Sequence, residues 1–154
     1  MSIFVVRHAK AGSRKDWDGD DTERPLSKGG RRQVEALTAR LRGEALSGLW
    51  SSPYVRCVQT LEPLGEACGL EVVAEPRLAE GTAPPDVLAL LGELPDGAVL
   101  CSHGDIIPEL VDSLVRRGAR VLTPPDWRKA SIWVLGPRDA DGHVTTLAVE
   151  PPPA

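Results

Sequence analysis

The chain has little cysteine, no excess of positive charge and no long apolar run. Its three cysteines, Cys57, Cys68 and Cys101, cannot all pair and form no Cys-x-x-Cys motif, which argues against a disulfide framework and a cysteine zinc site. A net charge of −4 gives no general reason to bind nucleic acid or an anionic membrane. No apolar stretch approaches the roughly 18 residues of a membrane span. No signal peptide is evident, so we expect a cytoplasmic protein.

The composition fits one globular domain. Hydrophobic residues make up 42% and charged residues 26% of the 154-residue chain, as in ordinary globular proteins with a substantial core. No internal repeat or linker divides the sequence. We therefore expect a single domain over residues 1–150, followed by a disordered proline-rich tail over residues 151–154.

Apolar β-forming runs alternate with amphipathic helical stretches along most of the chain. Strands are predicted at 1–6, 49–51, 70–74 and 98–101, and helices at 28–42, 55–68, 84–94 and 106–117. This alternation predicts an α/β protein, a three-layer α/β/α sandwich with a mostly parallel sheet. Two later strands, 131–135 and 144–149, are joined through a turn at 139–142. They predict an antiparallel hairpin at the edge of the sheet.

Arginines and histidines follow three of the predicted strands. Arg7 and His8 come directly after the first strand, Arg56 shortly after the second, and His103 after the fourth. Because ligand sites of open α/β sheets lie at the carboxyl ends of the strands, we expect these side chains to meet. Arginines suit a phosphoryl group, a neutral imidazole can attack phosphorus, and a second histidine can stabilise the developing charge. The set can support phosphoryl transfer without a metal or other cofactor.

Each residue also has a structural interpretation. A single histidine at a strand end is more often structural than catalytic, and Arg56 can pair with a surface carboxylate. Cys57 fits a small core residue. A zinc site on His8 and His103 would need a third ligand and would be opposed by the two arginines. The acidic loop near Asp16 departs from the calcium-loop pattern at its glycine and at its last ligand.

Three segments resemble the motifs of one family. Arg7-His8-Ala9 resembles the RHG signature of the histidine phosphatase superfamily, whose fold is called phosphoglycerate mutase-like. Residues 51–60 resemble its SPxxRxxQT segment, and 102–104 its second-histidine motif. Ala9 in place of glycine, and residues 24–30, are similar to the compact SixA-like phosphohistidine phosphatase branch. Residues 7–26 also resemble the phosphatase-type half that follows a Nudix domain in some MutT-type proteins.

The resemblance implies roles for five residues. His8 would be the nucleophile that forms a phosphohistidine, and Arg7, Arg56 and His103 would bind the phosphoryl group. Glu80 stands where many members keep a proton-donating carboxylate, which favours a phosphomonoester substrate. The alternative for Glu80 is pairing with Arg77 or capping of the following turn. The implied partner is a phosphorylated small molecule, including a nucleotide-derived one, or a phosphoprotein.

The sequence therefore predicts a metal-independent phosphatase that acts on a phosphomonoester or phosphohistidine. A non-catalytic phospholigand-binding or regulatory domain remains the alternative, and a phosphoglycerate mutase is a third. We expect the adjacent arginines to lower the pKa of His8, and activity to fall in acid as its imidazole becomes protonated.

Overall fold

The computed structural model describes residues 1–153 and shows an α/β fold with one sheet. The strands are β1 Ile3–Arg7, β2 Gly48–Ser51, β3 Val72–Ala74, β4 Ala98–Ser102, β5 Arg120–Val121, β6 Ile132–Leu135 and β7 Thr146–Glu150. The helices are α1 Lys28–Leu41, α2 Val55–Cys68, α3 Pro84–Glu93 and α4 Ile106–Arg116. No helix among the described residues combines the length and apolar character needed to cross a bilayer.

The sheet is mostly parallel, as predicted. The seven strands lie in the order β3-β2-β4-β1-β6-β7-β5. β1, β2, β3 and β4 are mutually parallel, while β6 runs antiparallel to both of its neighbours. Strands β2, β4 and β1 are therefore parallel neighbours, and the chain after each reaches one edge of the sheet.

Two helical layers cover the sheet and give the predicted α/β/α sandwich. Alternation along β1 divides the core: Ile3 and Val5 pack in the cluster that contains α3 and α4. Phe4 and Val6 pack in the cluster that contains α1 and α2. Because successive side chains of a strand point to opposite faces, a fully apolar strand requires cover on both sides. The continuous apolar run that opens the sequence is thereby explained.

Local signals set the helix boundaries near their predicted positions. Ser27 caps α1, because its side-chain oxygen accepts a hydrogen bond from Gly30 N at 3.1 Å. Gly69 ends α2 in the left-handed conformation, with φ of 69°. The predicted loop between β1 and α1 contains two short 3₁₀ turns, Arg14–Asp16 and Asp21–Glu23.

The edge of the sheet differs from the prediction. Strands β6 and β7 pair antiparallel as expected, but β5 pairs with β7 on its outer side, so the pair lies one strand inside the edge. β5 has two exposed residues and no periodic pattern from which it could be recognised. Residues 151–153 have no regular secondary structure. The disordered tail stays a prediction, and its last residue lies outside the described part.

Candidate active site

The end of β1 brings Arg7 and His8 to the centre of the sheet edge. β1 lies between β4 and β6, and both neighbouring segments bind its last residues. His8 N donates to Ser102 O at 3.1 Å, and Arg7 N donates to Ser131 O at the same distance. The main chain that carries both side chains is therefore fixed from two sides.

The His8 ring is buried and neutral. Its side chain Nδ1 lies 2.8 Å from the carbonyl oxygen of Ala9. Since a carbonyl only accepts, Nδ1 carries the proton and Nε2 keeps its lone pair. Burial lowers the pKa of His8 to about 3; the Ala9 hydrogen bond opposes this, and the nearby His103, Arg56 and Arg7 lower it further. The arginines act in the predicted direction, but burial is the main cause.

Helix α2 holds the segment that follows β1. Thr60 Oγ1 accepts a hydrogen bond from Ala9 N at 3.1 Å and donates one to Arg56 O at 2.7 Å. Gln59 Oε1 accepts a hydrogen bond from Leu26 N at 2.9 Å, which ties in the end of the loop before α1. This stretch of α2 therefore supplies one candidate site residue and also fixes the backbone N of Ala9, the residue whose carbonyl orients His8.

Arg56 is 1% exposed and is surrounded by acceptors. Its Nη2 lies 2.8 Å from Glu80 Oε1 and 3.2 Å from Asp21 Oδ2, and its Nη1 donates to Asp21 O at 2.8 Å. Arg56 Cζ lies over the Tyr54 ring, 4.9 Å from the ring centroid. The head group is held in place from several directions, as the planar binding of a phosphoryl group requires.

His103 reaches the same volume from the end of β4. Its ring centroid lies 5.5 Å from that of His8, with 65° between the ring planes. Ser52 Oγ lies 2.8 Å from His103 Nε2, and Ser52 Oγ also accepts a hydrogen bond from Tyr54 N at 3.3 Å. If the Ser52 hydroxyl donates to Nε2, the N–H of the His103 ring is at Nδ1.

Glu80 lies between the second arginine and the second histidine. Its Oε1 is 2.8 Å from Arg56 Nη2 and 3.4 Å from His103 Nδ1. The pairing with Arg77 that the sequence left open is not found, because Arg77 binds two other glutamates. The geometry thus brings together all five predicted site residues.

The side chain of Arg7 lies directly over Gly104. Arg7 Nη1 donates a hydrogen bond to Trp127 O at 2.7 Å. A Cβ at Gly104 would lie 2.7 Å from Arg7 Cζ, too close for any side chain. The glycine after His103 therefore leaves the space that the Arg7 guanidinium occupies.

A cavity of about 420 Å³ is lined by five of these residues, Arg7, His8, Arg56, Glu80 and Gly104. Its lining also includes Arg14, Arg24, Asp105 and Lys129. Arg24 is 7% exposed, and it donates to Gly12 O at 2.6 Å. Arg24 belongs to residues 24–30, which resemble the SixA-like branch, while nothing in the sequence marks Lys129.

Three buried nitrogens of the candidate site residues have no hydrogen-bond partner among the described residues: Arg7 Nε, Arg56 Nε and His103 Nδ1. A buried donor left unpaired costs about 1–3 kcal/mol. One phosphoryl group has enough oxygens to accept from all three. The positive lining favours such an anion over a metal cation.

A separate cluster of possible metal ligands lies in the connection between β6 and β7. Ligand atoms of Asp139, Asp141 and His143 lie within 4.8 Å of one another, and all three residues are exposed. Asp139 Oδ1 accepts hydrogen bonds from the backbone N of Asp141 and of His143. The turn itself accounts for this cluster.

Longer proteins named as a phosphatase and as probable mutases are similar in sequence to this chain. The 8-oxo-(d)GTP phosphatase of Mycolicibacterium smegmatis is 36% identical over 147 residues, covering 91% of this chain and 45% of the relative. The probable phosphoglycerate mutase GpmB of Yersinia enterocolitica is 34% identical over 83 residues, covering 52% and 38%. The chain therefore spans less than half the length of either relative.

Solved structures with the same fold are closer to this chain in size. The structure of the protein histidine phosphatase SixA complexed with tungstate has a TM-score of 0.75 at 23% identity. The alignment covers 97% of this chain and 94% of the SixA chain. A candidate SixA phosphohistidine phosphatase from Nakamurella multipartitia has a TM-score of 0.71 at 27% identity, covering 99% and 96%.

The family itself is shown by a sequence model rather than by the fold. The model of the histidine phosphatase superfamily, branch 1, matches residues 3–83. This range contains β1 and α2, and with them Arg7, His8, Arg56 and Glu80. The chain belongs to the histidine phosphatase superfamily, branch 1.

Proposed function

We propose that the protein is a phosphatase that transfers a phosphoryl group from its substrate to His8 Nε2 and then to water. One observation carries the proposal: a buried, neutral imidazole lies among three buried nitrogens without a hydrogen-bond partner, the guanidinium donors Arg7 Nε and Arg56 Nε and the ring nitrogen His103 Nδ1. The donors supply the charge stabilisation that phosphoryl transfer requires, and the imidazole supplies the nucleophile.

In the first step the lone pair of His8 Nε2 attacks phosphorus. The bond between phosphorus and the leaving oxygen breaks with its electron pair, and a bond between Nε2 and phosphorus forms. The proton stays on Nδ1 and is hydrogen-bonded to the Ala9 carbonyl oxygen, 2.8 Å away, which stabilises the positive charge that the ring acquires. Arg7, Arg56 and His103 neutralise the oxygens that do not react.

Glu80 is suited to proton transfer at the leaving group and at water. Its Oε1 accepts a hydrogen bond from Arg56 Nη2 at 2.8 Å. A bound phosphoryl group competes for that donor, so the Glu80 carboxylate can take the proton of a monoanionic phosphate ester and pass it to the leaving oxygen in the first step. In the second step the carboxylate takes a proton from the water that attacks phosphorus, and the bond between phosphorus and Nε2 breaks with its electron pair returning to His8, which releases inorganic phosphate.

A small phosphorylated molecule is the substrate class that we favour. A carboxylate beside the phosphoryl pocket helps an alkoxide to leave, whereas phosphohistidine leaves more easily without protonation. The similarity to an 8-oxo-(d)GTP phosphatase supports a nucleotide-derived substrate, although the chain matches only 45% of that relative. A phosphohistidine protein remains the alternative.

Two histidine variants test the proposal. His8→Asn should reduce turnover of p-nitrophenyl phosphate by at least about 10³-fold, because the nucleophile is lost. The matched control is His143→Asn, which removes an exposed histidine in the connection between β6 and β7 and should leave turnover unchanged. Equal rates for His8→Asn and the wild-type protein would refute the mechanism.

A further inference from the structure

A second cavity adjoins the candidate active site. It has a volume of about 650 Å³, and Arg7 and Lys129 line both cavities. Lys10 and Arg128 contribute two further cations to its wall, and no carboxylate of the described residues lines it. A substrate whose phosphoryl group is bound at His8 can therefore extend past Lys129 into the second cavity, whose wall is also positively charged.

The positive charges around the two cavities are not equally balanced. Arg56 is paired with Asp21 and Glu80, and Arg128 with Asp126. Within residues 1–153 no carboxylate forms an ion pair with Arg7, Lys10 or Lys129. The unpaired positive charges are thus those of Arg7, Lys10 and Lys129, which all line the second cavity.

The backbone of Lys10 is held firmly by α1. Its N donates to Gln33 Oε1 at 2.9 Å, and its O accepts from Ser27 N at 3.0 Å. Helix α1 approaches so closely that a Cβ at Gly30 would lie 1.9 Å from Lys10 O. The lysine therefore extends from a fixed point two residues after His8.

The backbone next to Lys129 is held against the end of β1. Its neighbour Ala130 is fully buried and has a φ of 68°, a conformation that costs an alanine about 1 kcal/mol. Ala130 N donates to Arg7 O at 3.1 Å and to His8 O at 3.2 Å. This strained turn places Lys129 beside the candidate nucleophile.

The electrostatic environment of Lys129 agrees with an unbalanced positive region. Its pKa is lowered, first by burial and then by the charges of Arg7, Arg24, Lys10 and Arg56. An anion bound between these groups would relieve their mutual repulsion.

We propose that Lys10 and Lys129 form a second anion subsite, and that the substrate carries a further phosphate on its leaving group. This inference rests on the proposed phosphatase function and narrows its substrate class. Nucleoside polyphosphates and sugar bisphosphates share this chemistry, whereas simple monoesters do not.

Binding of compounds that cannot be hydrolysed tests the subsite independently of turnover. We would titrate methylphosphonate, methylenediphosphonate and 1,3-propanediphosphonate into the wild-type protein by calorimetry. At least one diphosphonate should bind about tenfold or more tightly than methylphosphonate. Lys10→Met and Lys129→Met should each reduce that preference about fivefold, the effect of losing one ionic contact from an exposed lysine.

The matched control is Lys15→Met, which removes an exposed lysine that lines neither cavity and should keep the full preference. An equal loss in all three variants would show general charge attraction and would overturn the subsite. Absence of any preference in the wild-type protein would overturn it too. If the protein prefers diphosphonates but hydrolyses no phosphate ester, the subsite is supported and the proposed phosphatase function is refuted.

Turnover then separates the two sources of a second phosphate. Guanosine diphosphate would be compared with guanosine monophosphate, and fructose 1,6-bisphosphate with fructose 6-phosphate. A higher kcat/KM for the two-phosphate member of either pair supports the inference and identifies the leaving group. A lower value in both pairs overturns it.

Discussion

At the scale of single residues, the proposed chemistry depends on a histidine that stays unprotonated. The pKa of His8 is lowered to about 3, chiefly by burial. The ring is therefore neutral at pH 7, and protonation of His8 becomes appreciable only below about pH 4. The fall in activity that the sequence predicts in acid should therefore occur only below about pH 4. A loss of activity between pH 7 and 5 would have to come from another group.

The same burial predicts a dependence of stability on pH. The unfolded chain, in which His8 has an ordinary pKa near 6.5, binds a proton that the folded chain does not. The free energy of unfolding therefore rises with pH between about 3 and 6.5. When the pH falls from 7 to 5, the contribution of His8 alone should lower the free energy of unfolding by about 2 kcal/mol. Urea unfolding of the wild-type protein and His8→Asn at both pH values measures this. Equal losses in the two proteins would contradict it.

The position of Glu80 predicts an effect that depends on the leaving group. Glu80→Gln removes the proton donor, so kcat for phenyl phosphate should fall about 10²–10⁴-fold. The fall should be much smaller for p-nitrophenyl phosphate, because its phenolate leaves without a proton. Glu71→Gln, at an exposed position away from the cavity, serves as the control. The same loss with both substrates would argue for a binding role of Glu80 through Arg56.

At the scale of helices and loops, α1 and α2 act as supports for the segment after β1. Thr60 and Gln59 of α2 bind Ala9 and the loop end at Leu26. The N-terminus of α1 packs on the Lys10 backbone so closely that only a glycine fits. These contacts give one rigid frame for His8 and Lys10.

Two neighbouring glycines of α1 allow a matched test of this frame. Gly30→Ala places a Cβ 1.9 Å from Lys10 O, so the backbone must shift, at a cost of about 1–3 kcal/mol. The nearest atom to a Cβ at Gly29 is 3.8 Å away, and Gly29→Ala should stabilise the helix by up to about 1 kcal/mol. Denaturant unfolding distinguishes the two variants. Equal effects would show that α1 does not fix the Lys10 backbone.

The regular part of the fold could be predicted because each element has a local cause. The apolar run predicted as the first strand is confirmed as β1, and the residue types at Ser27 and Gly69 account for the start of α1 and the end of α2. β5 could not be predicted, because its two exposed residues form a strand only by pairing with β7.

The candidate site could be predicted where residues directly follow strands. Arg7, His8 and His103 meet because the parallel strands β1 and β4 end at one edge of the sheet. Arg24 and Lys129 could not be predicted, because their positions depend on the path of loops rather than on a periodic pattern. Those loops also form the walls that would select a substrate.

At the scale of the whole molecule, an acidic protein concentrates positive charge in one place. The net charge is −4, yet the cavity at the carboxyl ends of the parallel strands is lined by five cationic and two acidic side chains. The sheet produces this contrast, because it brings chain segments that are far apart in sequence to the same edge. Such a cleft attracts anions although the whole protein repels them.

Phosphorylation of His8 during turnover is the step on which the proposed function depends. The direct measurement is rapid acid-free quenching of the wild-type protein with ³²P-labelled substrate, followed by alkaline peptide mapping, which preserves phosphohistidine. We predict label on His8, formed and lost at rates compatible with turnover, and none in His8→Asn. Turnover without labelled His8, or label retained on another residue, would contradict the claim.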